Sequence, residues 1–474
     1  MGILARLLHR IWGTCELTRV EGTDWIVRVV ANGREIRVPP ASRQSFSIEQ
    51  DIASAENVEG TQAPASTTTR PAKPQHSQET RDLRHMFESL SNGLPPTDGQ
   101  TIRTAVGFEP TSRAFRMLLG ETENHGGCAM VVRGAYGQGK TFALRALEHM
   151  ALESGFVVAR TEVDATEIQL HKPHSVYRDL MRHVRIPEQP VRGAQGLARQ
   201  TAGFLRARFC TQTGWRYCRA VYEYLKAQID CAPLAWLLSA PQIDTDEALI
   251  GLLACDLQSS LQDARRRHIY PGSSRDWPAF NASTQGDFAS YVLCGIGRLA
   301  RLLGYKGFIV VLDEMEKWQN LNWVEQSKAG NLLGGLIWGA TSPEGRRGPN
   351  DHPPNLEHSR RSGGYPFSTG SLCYLGVAIA MTPRGAYGPE RMWETYGPIK
   401  MHDLPLLQAS DVAEYCRVVV PQYVAAYGLP PASSTDLDTV IRAATASFRH
   451  RGTGTARSAV QAVVTALGNW RRNT

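Results

Sequence analysis

The fold is indicated most clearly by residues 128–155, CAMVVRGAYGQGKTFALRALEHMALESG. This stretch opens with an apolar run typical of a buried strand, crosses a glycine-rich segment, and continues with apolar residues at helical spacing. Its central residues, GAYGQGKT at 134–141, match the pattern G-x-x-x-x-G-K-[ST] in the strand–loop–helix context that this pattern requires. We therefore predict a phosphate-binding loop (P-loop) between a strand and a helix.

Each residue type in this loop has a physical task. Glycines let backbone N–H groups turn inward around phosphate oxygens, and the N-terminus of the following helix adds positive potential. Lys140 is expected to span the β- and γ-phosphates, and the Thr141 hydroxyl to ligate a metal. The expected ligands are ATP and Mg²⁺, and the expected nucleotide contacts are Gly134, Ala135, Tyr136, Gly137, Gln138, Gly139, Lys140, Thr141 and Phe142.

A pair of carboxylates is expected at the end of the apolar run FIVVLDE, residues 308–314. Asp313 would hold Mg²⁺ through water, and Glu314 would polarise the attacking water. The competing metal carboxylate is Asp164, which closes the run FVVARTEVD but is not followed by a second acid.

Three residues downstream complete the predicted catalytic set. Thr382 ends an apolar run, where AAA+ ATPases carry a polar sensor of the γ-phosphate, and a helix N-cap is the alternative role. Arg391 is the predicted finger toward a neighbouring subunit, with Arg384 as a second candidate and a solvated surface position as the alternative. Arg457 begins a helix after a Gly/Thr-rich turn and looks like sensor 2 of an AAA+ lid, or else lies on a solvent-facing helix side. The full set is Lys140, Glu314, Thr382, Arg391 and Arg457.

The chain alternates apolar runs with helical patterns, which predicts an α/β fold with a parallel sheet. The runs lie at 128–134, 156–164, 308–314 and 373–382, with a weaker fifth at 398–404. We predict an AAA+-like P-loop NTPase domain over residues 81–404. It carries a large helical insertion at about 175–300 and a basic loop at 342–370, and a C-terminal helical lid follows at 405–474.

The N-terminal part differs in character. Residues 1–50 predict a small β module, with an amphipathic helix over 1–12 and a hairpin turn at Asn32-Gly33. Residues 51–80 are rich in Ser, Thr, Pro, Ala and Gln with almost no large apolar side chain, which predicts a flexible linker.

Composition excludes several classes of protein. With 474 residues and 42% hydrophobic residues, the chain can build a sizeable core, so it is not wholly disordered. No stretch reaches the ~18 uncharged apolar residues of a membrane span. Nine cysteines without a CxxC pair indicate buried thiols in a reducing compartment, rather than disulfides or a zinc site. We expect a cytoplasmic protein that does not act at a membrane.

Five stretches together resemble the P-loop ATP-binding proteins of bacterial BREX-type anti-phage defence systems, in particular the BrxD-like proteins. They are SLSNGLPP (89–96), GFEPTSRAFRMLLGE (107–121), the region from Met130 to Asp164, LHKPHSVYRDLMRHV (170–184) and FIVVLDEMEKW (308–318). Tyr136 and the string Asp313-Glu314-Met315-Glu316-Lys317 are the most specific parts. The resemblance covers residues 81–474 and implies a fold similar to AAA+ and origin-recognition-type ATPases. It also implies DNA-associated ATPase activity in defence, with a helicase-like partner.

A net charge of +7 permits a nucleic-acid partner. The candidate surfaces are the basic loop with Arg346, Arg347, Arg360 and Arg361, the Arg- and aromatic-rich segment 205–224, and the basic run 265–268. Solvated linker, helix core and helix-dipole compensation are the respective alternatives. DNA binding through these surfaces would be directed at the backbone and sensitive to salt.

The predicted function is ATP hydrolysis coupled to the binding of DNA or of a partner helicase or nuclease. A homo-oligomer is one of the assemblies that this function allows. A nucleotide-gated scaffold without turnover is the main alternative. A P-loop kinase is a second alternative, which the distant Asp313-Glu314 pair and the C-terminal lid disfavour.

Overall fold

The chain divides into two compact units, Met1–Pro74 and Gln75–Thr474. The structure, a computed structural model, describes residues 5–9, 13–21, 24–29, 35–38, 46–48, 78–92, 105–164, 166–189, 193–209, 219–231, 234–235, 285–341, 372–383, 393–452 and 454–473.

The first unit contains a five-stranded antiparallel sheet. Its strands are β1 (Ala5–His9), β2 (Gly13–Glu21), β3 (Asp24–Val29), β4 (Glu35–Val38) and β5 (Phe46–Ile48), in the order β4-β3-β2-β1-β5. The pairing of β3 with β4 agrees with the predicted hairpin, although Asn32-Gly33 itself lies outside the described residues. The helix predicted over residues 1–12 is wrong: Ala5–His9 is a strand because it pairs on both sides, with β2 and with β5.

The second unit is built on a five-stranded parallel sheet. Its strands are β6 (Gly127–Arg133), β7 (Val157–Glu162), β8 (Phe308–Asp313), β9 (Leu375–Met381) and β10 (Ile399–Asp403). Each strand coincides with one of the predicted apolar runs to within two residues at either end. The order is β10-β6-β9-β8-β7, so β9 lies between the strand that precedes the P-loop and the strand that ends in Asp313. This mixed α/β fold confirms the predicted class.

Helices precede, connect and follow the strands of this sheet. In chain order they are α1 (Gln78–Ser91), α2 (Glu109–His125), α3 (Lys140–Glu153), α4 (Pro173–Arg182), α5 (Ala194–Phe209), α6 (Arg219–Ile229), α7 (Gln285–Leu302), α8 (Trp323–Gly339), α9 (Ala409–Tyr427), α10 (Ser434–Arg451) and α11 (Ala456–Asn473). A 3₁₀ helix, Met315–Asn320, connects β8 toward α8. None of the helices in the described ranges is long and apolar enough to cross a bilayer.

Both faces of the sheet are buried, because alternate residues of each central strand enter different cores. Val310 and Val377 pack in one core with residues of α4 and α7, while Ile309 and Ala378 pack in the other with residues of α2 and α3. Strands covered on both sides are necessarily apolar throughout. This explains why four of the runs are visible in the sequence as nearly unbroken apolar stretches.

The C-terminal helices form a third core together with α1. Met86, Phe87 and Leu90 of α1 are buried among apolar residues of α9, α10 and α11. Helix α1 begins three residues before the predicted start of the ATPase domain. The prediction assigns this helix to the ATPase domain, whereas in the structure it packs with the helices of the predicted lid. The part of the linker at 51–77 and the basic loop 342–370 lie outside the described residues.

Candidate nucleotide site

The glycine-rich loop turns sharply between β6 and α3. Gly137 and Gly139 have φ angles of 78° and 100°, in the left-handed region that glycine adopts without strain. Ala456 and Arg457, the first two residues of the lid helix α11, lie against the loop. A Cβ at Gly137 would lie 3.2 Å from Cβ of Arg457, and one at Gly139 would lie 3.3 Å from Cβ of Ala456. Glycines at these positions therefore serve both the backbone turn and the close approach of the lid.

Gln138 holds the shape of this loop without a ligand. Its side-chain oxygen accepts a hydrogen bond of 2.6 Å from the Ala135 N–H, and its side-chain amide donates to the carbonyl of Leu404. Leu404 follows β10 and donates its own N–H to the carbonyl of Arg133 at 2.9 Å. The loop is therefore tied to the edge strand, and one N–H group of the phosphate cradle is occupied by a side chain that a phosphate can replace.

Lys140 is buried at the carboxyl edge of the sheet. Its Nζ donates to the Gly134 carbonyl at 3.1 Å and to the Thr382 hydroxyl at 2.9 Å, and lies 3.5 Å from Oε1 of Glu316. Thr382 reaches this position because β9 lies between β6 and β8. The structure thus brings the predicted Thr382 directly onto the P-loop lysine.

Glu316 is a functional candidate to which the sequence motifs assign no role. Its Oε1 accepts a hydrogen bond of 3.0 Å from Thr382, while its Oε2 is buried without a hydrogen-bond partner. The signal in the sequence is the third acid in Asp-Glu-Met-Glu. The 3₁₀ turn after β8, rather than a longer loop, is what points this third acid at Lys140.

Asp313 and Glu314 end β8 with their side chains in different surroundings. Asp313 is fully buried; its Oδ1 accepts the Glu314 N–H at 2.9 Å and its Oδ2 accepts from Arg160 at 2.9 Å. Glu314 has φ of 60° and half-exposes its side chain toward the P-loop. A non-glycine residue in this conformation costs about 1–3 kcal/mol and is found most often at functional sites.

The pKa of Glu314 is raised above its ordinary value. Burial is the main cause, followed by the negative charges of Glu316 and Asp313. A raised pKa makes a carboxylate a stronger base once it is ionised, which suits a group that draws a proton from water.

Asp164, the competing metal carboxylate, forms hydrogen bonds within its own turn. Its Oδ1 accepts the backbone N–H groups of Thr166, Glu167 and Ile168. The hydrogen bond from Thr166 is the largest of the causes that lower the pKa of Asp164. This oxygen closes a turn after β7, the strand farthest from β6 in the sheet, whereas Asp313 ends β8, which lies one strand nearer to the P-loop.

Arg457 closes the site from the lid side. Its N–H donates to the Gly137 carbonyl at 2.9 Å, and its side chain lies over the exposed ring of Tyr136. Ala456 and Arg457, at the start of α11, therefore form part of the wall above the P-loop, and the sensor role of Arg457 stays a prediction.

A cleft of about 210 Å³ lies between the P-loop and the lid. One part of its lining is polar and includes Lys140, Thr141, Glu314 and Arg457. The other lining residues are mostly apolar and come from α1, the segment before α2, and the lid: Leu90, Val106, Leu407, Val412, Tyr415 and Val460, with the charged Asp411 among them. The cleft thus offers both charged and apolar side chains, and a nucleotide presents both kinds of group.

The remaining predicted site residues lie outside the described part of the chain. These are Arg384 and Arg391, the basic loop with Arg346, Arg347, Arg360 and Arg361, and the basic run 265–268. The segment 205–224 is described only at its ends, Leu205–Phe209 within α5 and from Arg219 within α6.

Together, the parallel sheet, the glycine-rich loop before α3 and the acidic end of β8 define an α/β fold of the P-loop type with C-terminal helices. Residues 79–197 match the family described as "BREX system ATP-binding protein BrxC/D". Over this segment the match confirms the resemblance predicted from the sequence.

Two solved structures are similar in fold at low identity. The Aeropyrum pernix ORC2 protein in its ADPNP–ADP complexes is 11% identical, with a TM-score of 0.27, and the match covers 75% of this chain and 66% of that one. Drosophila ORC bound to DNA is 12% identical, with a TM-score of 0.28, and the match covers 86% of this chain and 70% of that one. Both TM-scores lie below 0.5, so neither likeness bears on the function proposed below. No protein of curated function matches the chain in sequence.

Proposed function

We propose that the protein binds ATP in the cleft between the P-loop and the lid and hydrolyses it. The observation that carries this proposal is that Lys140 and Glu314, which follow different strands, line the same cleft. A cation for the phosphates and a carboxylate for the attacking water are two of the groups on which hydrolysis of the β–γ phosphoanhydride bond depends.

The cleft suggests a place for each part of the nucleotide. The N–H groups of the P-loop and the N-terminus of α3 receive the β-phosphate. Lys140 exchanges its contact with Glu316 for the γ-phosphate, with Thr382 beside it. The adenine ring would pack on the apolar side chains of the cleft, among them Val412 and Tyr415 of α9 and Leu90 of α1.

The oxygen donors of the site fit Mg²⁺. Thr141 and Asp313 offer oxygen atoms, the type of ligand that Mg²⁺ prefers. Thr141 lines the cleft, and each oxygen of Asp313 retains a second lone pair beyond the hydrogen bond it accepts. Bound Mg²⁺ would neutralise charge on the phosphates, and Glu314 would take a proton from water beside it.

The test compares two variants with the parent protein. Lys140→Ala is expected to lose most ATP affinity and turnover, whereas Glu314→Gln is expected to keep ATP affinity and lose turnover by at least about 100-fold. Lys306→Ala removes an exposed lysine whose Nζ pairs with Glu123 at 3.0 Å, and serves as the charge-matched control. Parent-level hydrolysis in both site variants would refute the assignment.

We further propose that the ATP cycle acts in anti-phage defence by engaging DNA or a partner helicase or nuclease. One described surface supports DNA contact: Trp323 is 78% exposed at the start of α8, beside Lys172 and Lys328. Exposed aromatic rings beside cations stack single-stranded bases and attract phosphates. The 3₁₀ helix Met315–Asn320 connects Glu314 toward this surface.

DNA contact is tested by fluorescence anisotropy with labelled single strands at increasing salt. Trp323→Ala is expected to weaken binding about 5- to 100-fold. Lys172→Ala with Lys328→Ala should lower the salt slope by about two. Unchanged binding in both variants would remove this surface from the proposal and leave the ATPase assignment intact.

A nucleotide-gated scaffold without turnover is the second candidate. This candidate is favoured because charged groups of the site are already paired with one another: Lys140 with Glu316, and Asp313 with Arg160. Single-turnover hydrolysis measured with and without DNA separates the two functions.

A further inference from the structure

Arg160 of β7 holds the carboxylate of Asp313. Its Nη2 lies 2.9 Å from Oδ2 of Asp313, an aspartate with no solvent exposure. In the parallel pairing of β7 with β8, Glu162 is opposite Asp313, so the Arg160 side chain reaches along the sheet from two residues earlier. The guanidinium therefore occupies one oxygen of the carboxylate that is expected to hold the metal.

A second arm of Arg160 ends on the P-loop helix. Its Nη1 lies 3.2 Å from Oε1 of Glu148 in α3, and the other oxygen of Glu148 lies 3.5 Å from Nη1 of Arg185. Glu162 lies 3.9 Å from Nη2 of Arg160. The guanidinium thus has two further carboxylate partners, so it remains paired if its contact with Asp313 is broken.

From this geometry we infer that Arg160 competes with the divalent cation for Asp313, an inference that rests on the proposed ATPase function. A guanidinium and Mg²⁺ are both attracted to the same buried carboxylate and repel each other across it. Binding of either one weakens the other by the same factor, since linkage is reciprocal. Metal binding at Asp313 would then move the Arg160 side chain toward Glu148 and Glu162. The contacts that Arg160 makes within β7 and with α3 would therefore depend on whether the metal site is occupied.

Two roles for Arg160 predict opposite results. As a structural cross-link, it would hold the site together, and its loss would weaken metal binding. As a competitor, its loss strengthens metal binding. Glu148 makes the contrast sharper, because Glu148→Gln takes away a partner that draws Arg160 from Asp313 and should weaken metal binding.

The experiment measures how much MgCl₂ the full-length protein needs to bind N-methylanthraniloyl-ADP, followed by fluorescence. Arg160→Gln is expected to lower the half-saturating Mg²⁺ concentration about tenfold, and Glu148→Gln to raise it about threefold or more. Arg160→Lys retains a cation and is expected to stay within about threefold of the parent. Arg116→Gln, which removes an exposed arginine paired with Glu109 of α2 and outside this cluster, is the control and should stay within about twofold.

Three results would overturn the inference. They are an unchanged or higher Mg²⁺ requirement in Arg160→Gln protein with the parent's circular dichroism, a shift of Arg160→Gln and Glu148→Gln in the same direction, and a shift in Arg116→Gln equal to that in Arg160→Gln. If Arg160→Gln does not fold, a lowered or unchanged requirement in Glu148→Gln overturns it. Failure of the parent to bind the nucleotide at any Mg²⁺ concentration would instead refute the proposed function, and this inference with it.

Discussion

The guanidinium of Arg457 lies 4.6 Å from the ring centre of Tyr136, and its Nη1 donates a 2.8 Å hydrogen bond to the Tyr136 hydroxyl. This contact joins the lid to the P-loop across 321 residues of sequence. Tyr136 is 74% exposed, so the pair lies at the rim of the cleft and can open without disturbing a core. We interpret it as the resting contact of the lid, from which Arg457 turns to the phosphates when ATP binds.

Loss of the Arg457 side chain should weaken ATP binding. A charge-assisted hydrogen bond is worth about 1.5–3 kcal/mol, so Arg457→Ala is expected to raise the Kd for ATP about 10- to 100-fold, as measured by isothermal titration calorimetry. Arg451→Ala removes another exposed lid arginine, one that bonds Gln461, and is the control. Equal affinity in the Arg457→Ala protein and the parent would contradict the sensor role.

Glu316 should oppose phosphate binding in the resting site. Its carboxylate lies 3.5 Å from Lys140 and faces the place where the γ-phosphate is proposed to sit. Glu316→Gln keeps an oxygen that can accept from Thr382 but removes the charge, so ATP is expected to bind about 3- to 10-fold more tightly in a titration by calorimetry. Weaker ATP binding in Glu316→Gln protein would show that this carboxylate supports the bound state instead. Glu325→Gln, in an exposed capping box at the start of α8, is the carboxylate control.

Hydrolysis should depend on the ionisation of Glu314. Because the pKa of Glu314 is raised in the free protein and the ionised form acts as base, kcat/KM is expected to fall as the pH drops through a value above the ordinary glutamate range. In Glu316→Gln protein this acidic limb of the pH–rate profile should move to lower pH, since the charge of Glu316 is one cause of the shift. A limb at the ordinary glutamate pKa, or one unmoved by Glu316→Gln, would contradict the assignment.

The same raised pKa has a consequence for stability. The folded state binds the Glu314 proton more tightly than the unfolded state, so the unfolding free energy falls as pH rises from the ordinary glutamate pKa through the raised one. Glu314→Gln removes the charge and is therefore expected to raise the unfolding free energy at neutral pH. Urea unfolding at pH 4.5 and pH 7.5 measures this, and a variant less stable than the parent at pH 7.5 would oppose it.

Helix α1 should stabilise the lid. Phe87 is 2% exposed and packs edge-to-face on Tyr423 with ring centres 5.0 Å apart. Phe87→Ala is expected to lower the unfolding free energy by about 3–5 kcal/mol, and Phe87→Leu by less than about 1.5 kcal/mol. Urea unfolding followed by circular dichroism checks both values. Similar small losses in both variants would indicate that α1 is loosely attached.

Short-range features could be predicted from the sequence because they depend on neighbours along the chain. The P-loop between Gly134 and Thr141, the buried strands of the parallel sheet, and the helix start at Arg457 follow from local patterns of glycine and apolar residues. The segment Ala5–His9 shows the limit of this reasoning. Its short apolar run suits a helix equally well, and pairing with two neighbouring strands decides the outcome.

The phosphate loop and the acidic strand end can be recognised from local sequence, since each is a contiguous motif with its own geometry. The contact of Glu316 with Lys140, the contact of Arg160 with Asp313 and the packing of α1 on the lid arise only when the chain is folded. These contacts depend on strand order and helix packing, which arise from the sum of many apolar contacts distant in sequence. No single stretch of residues encodes them.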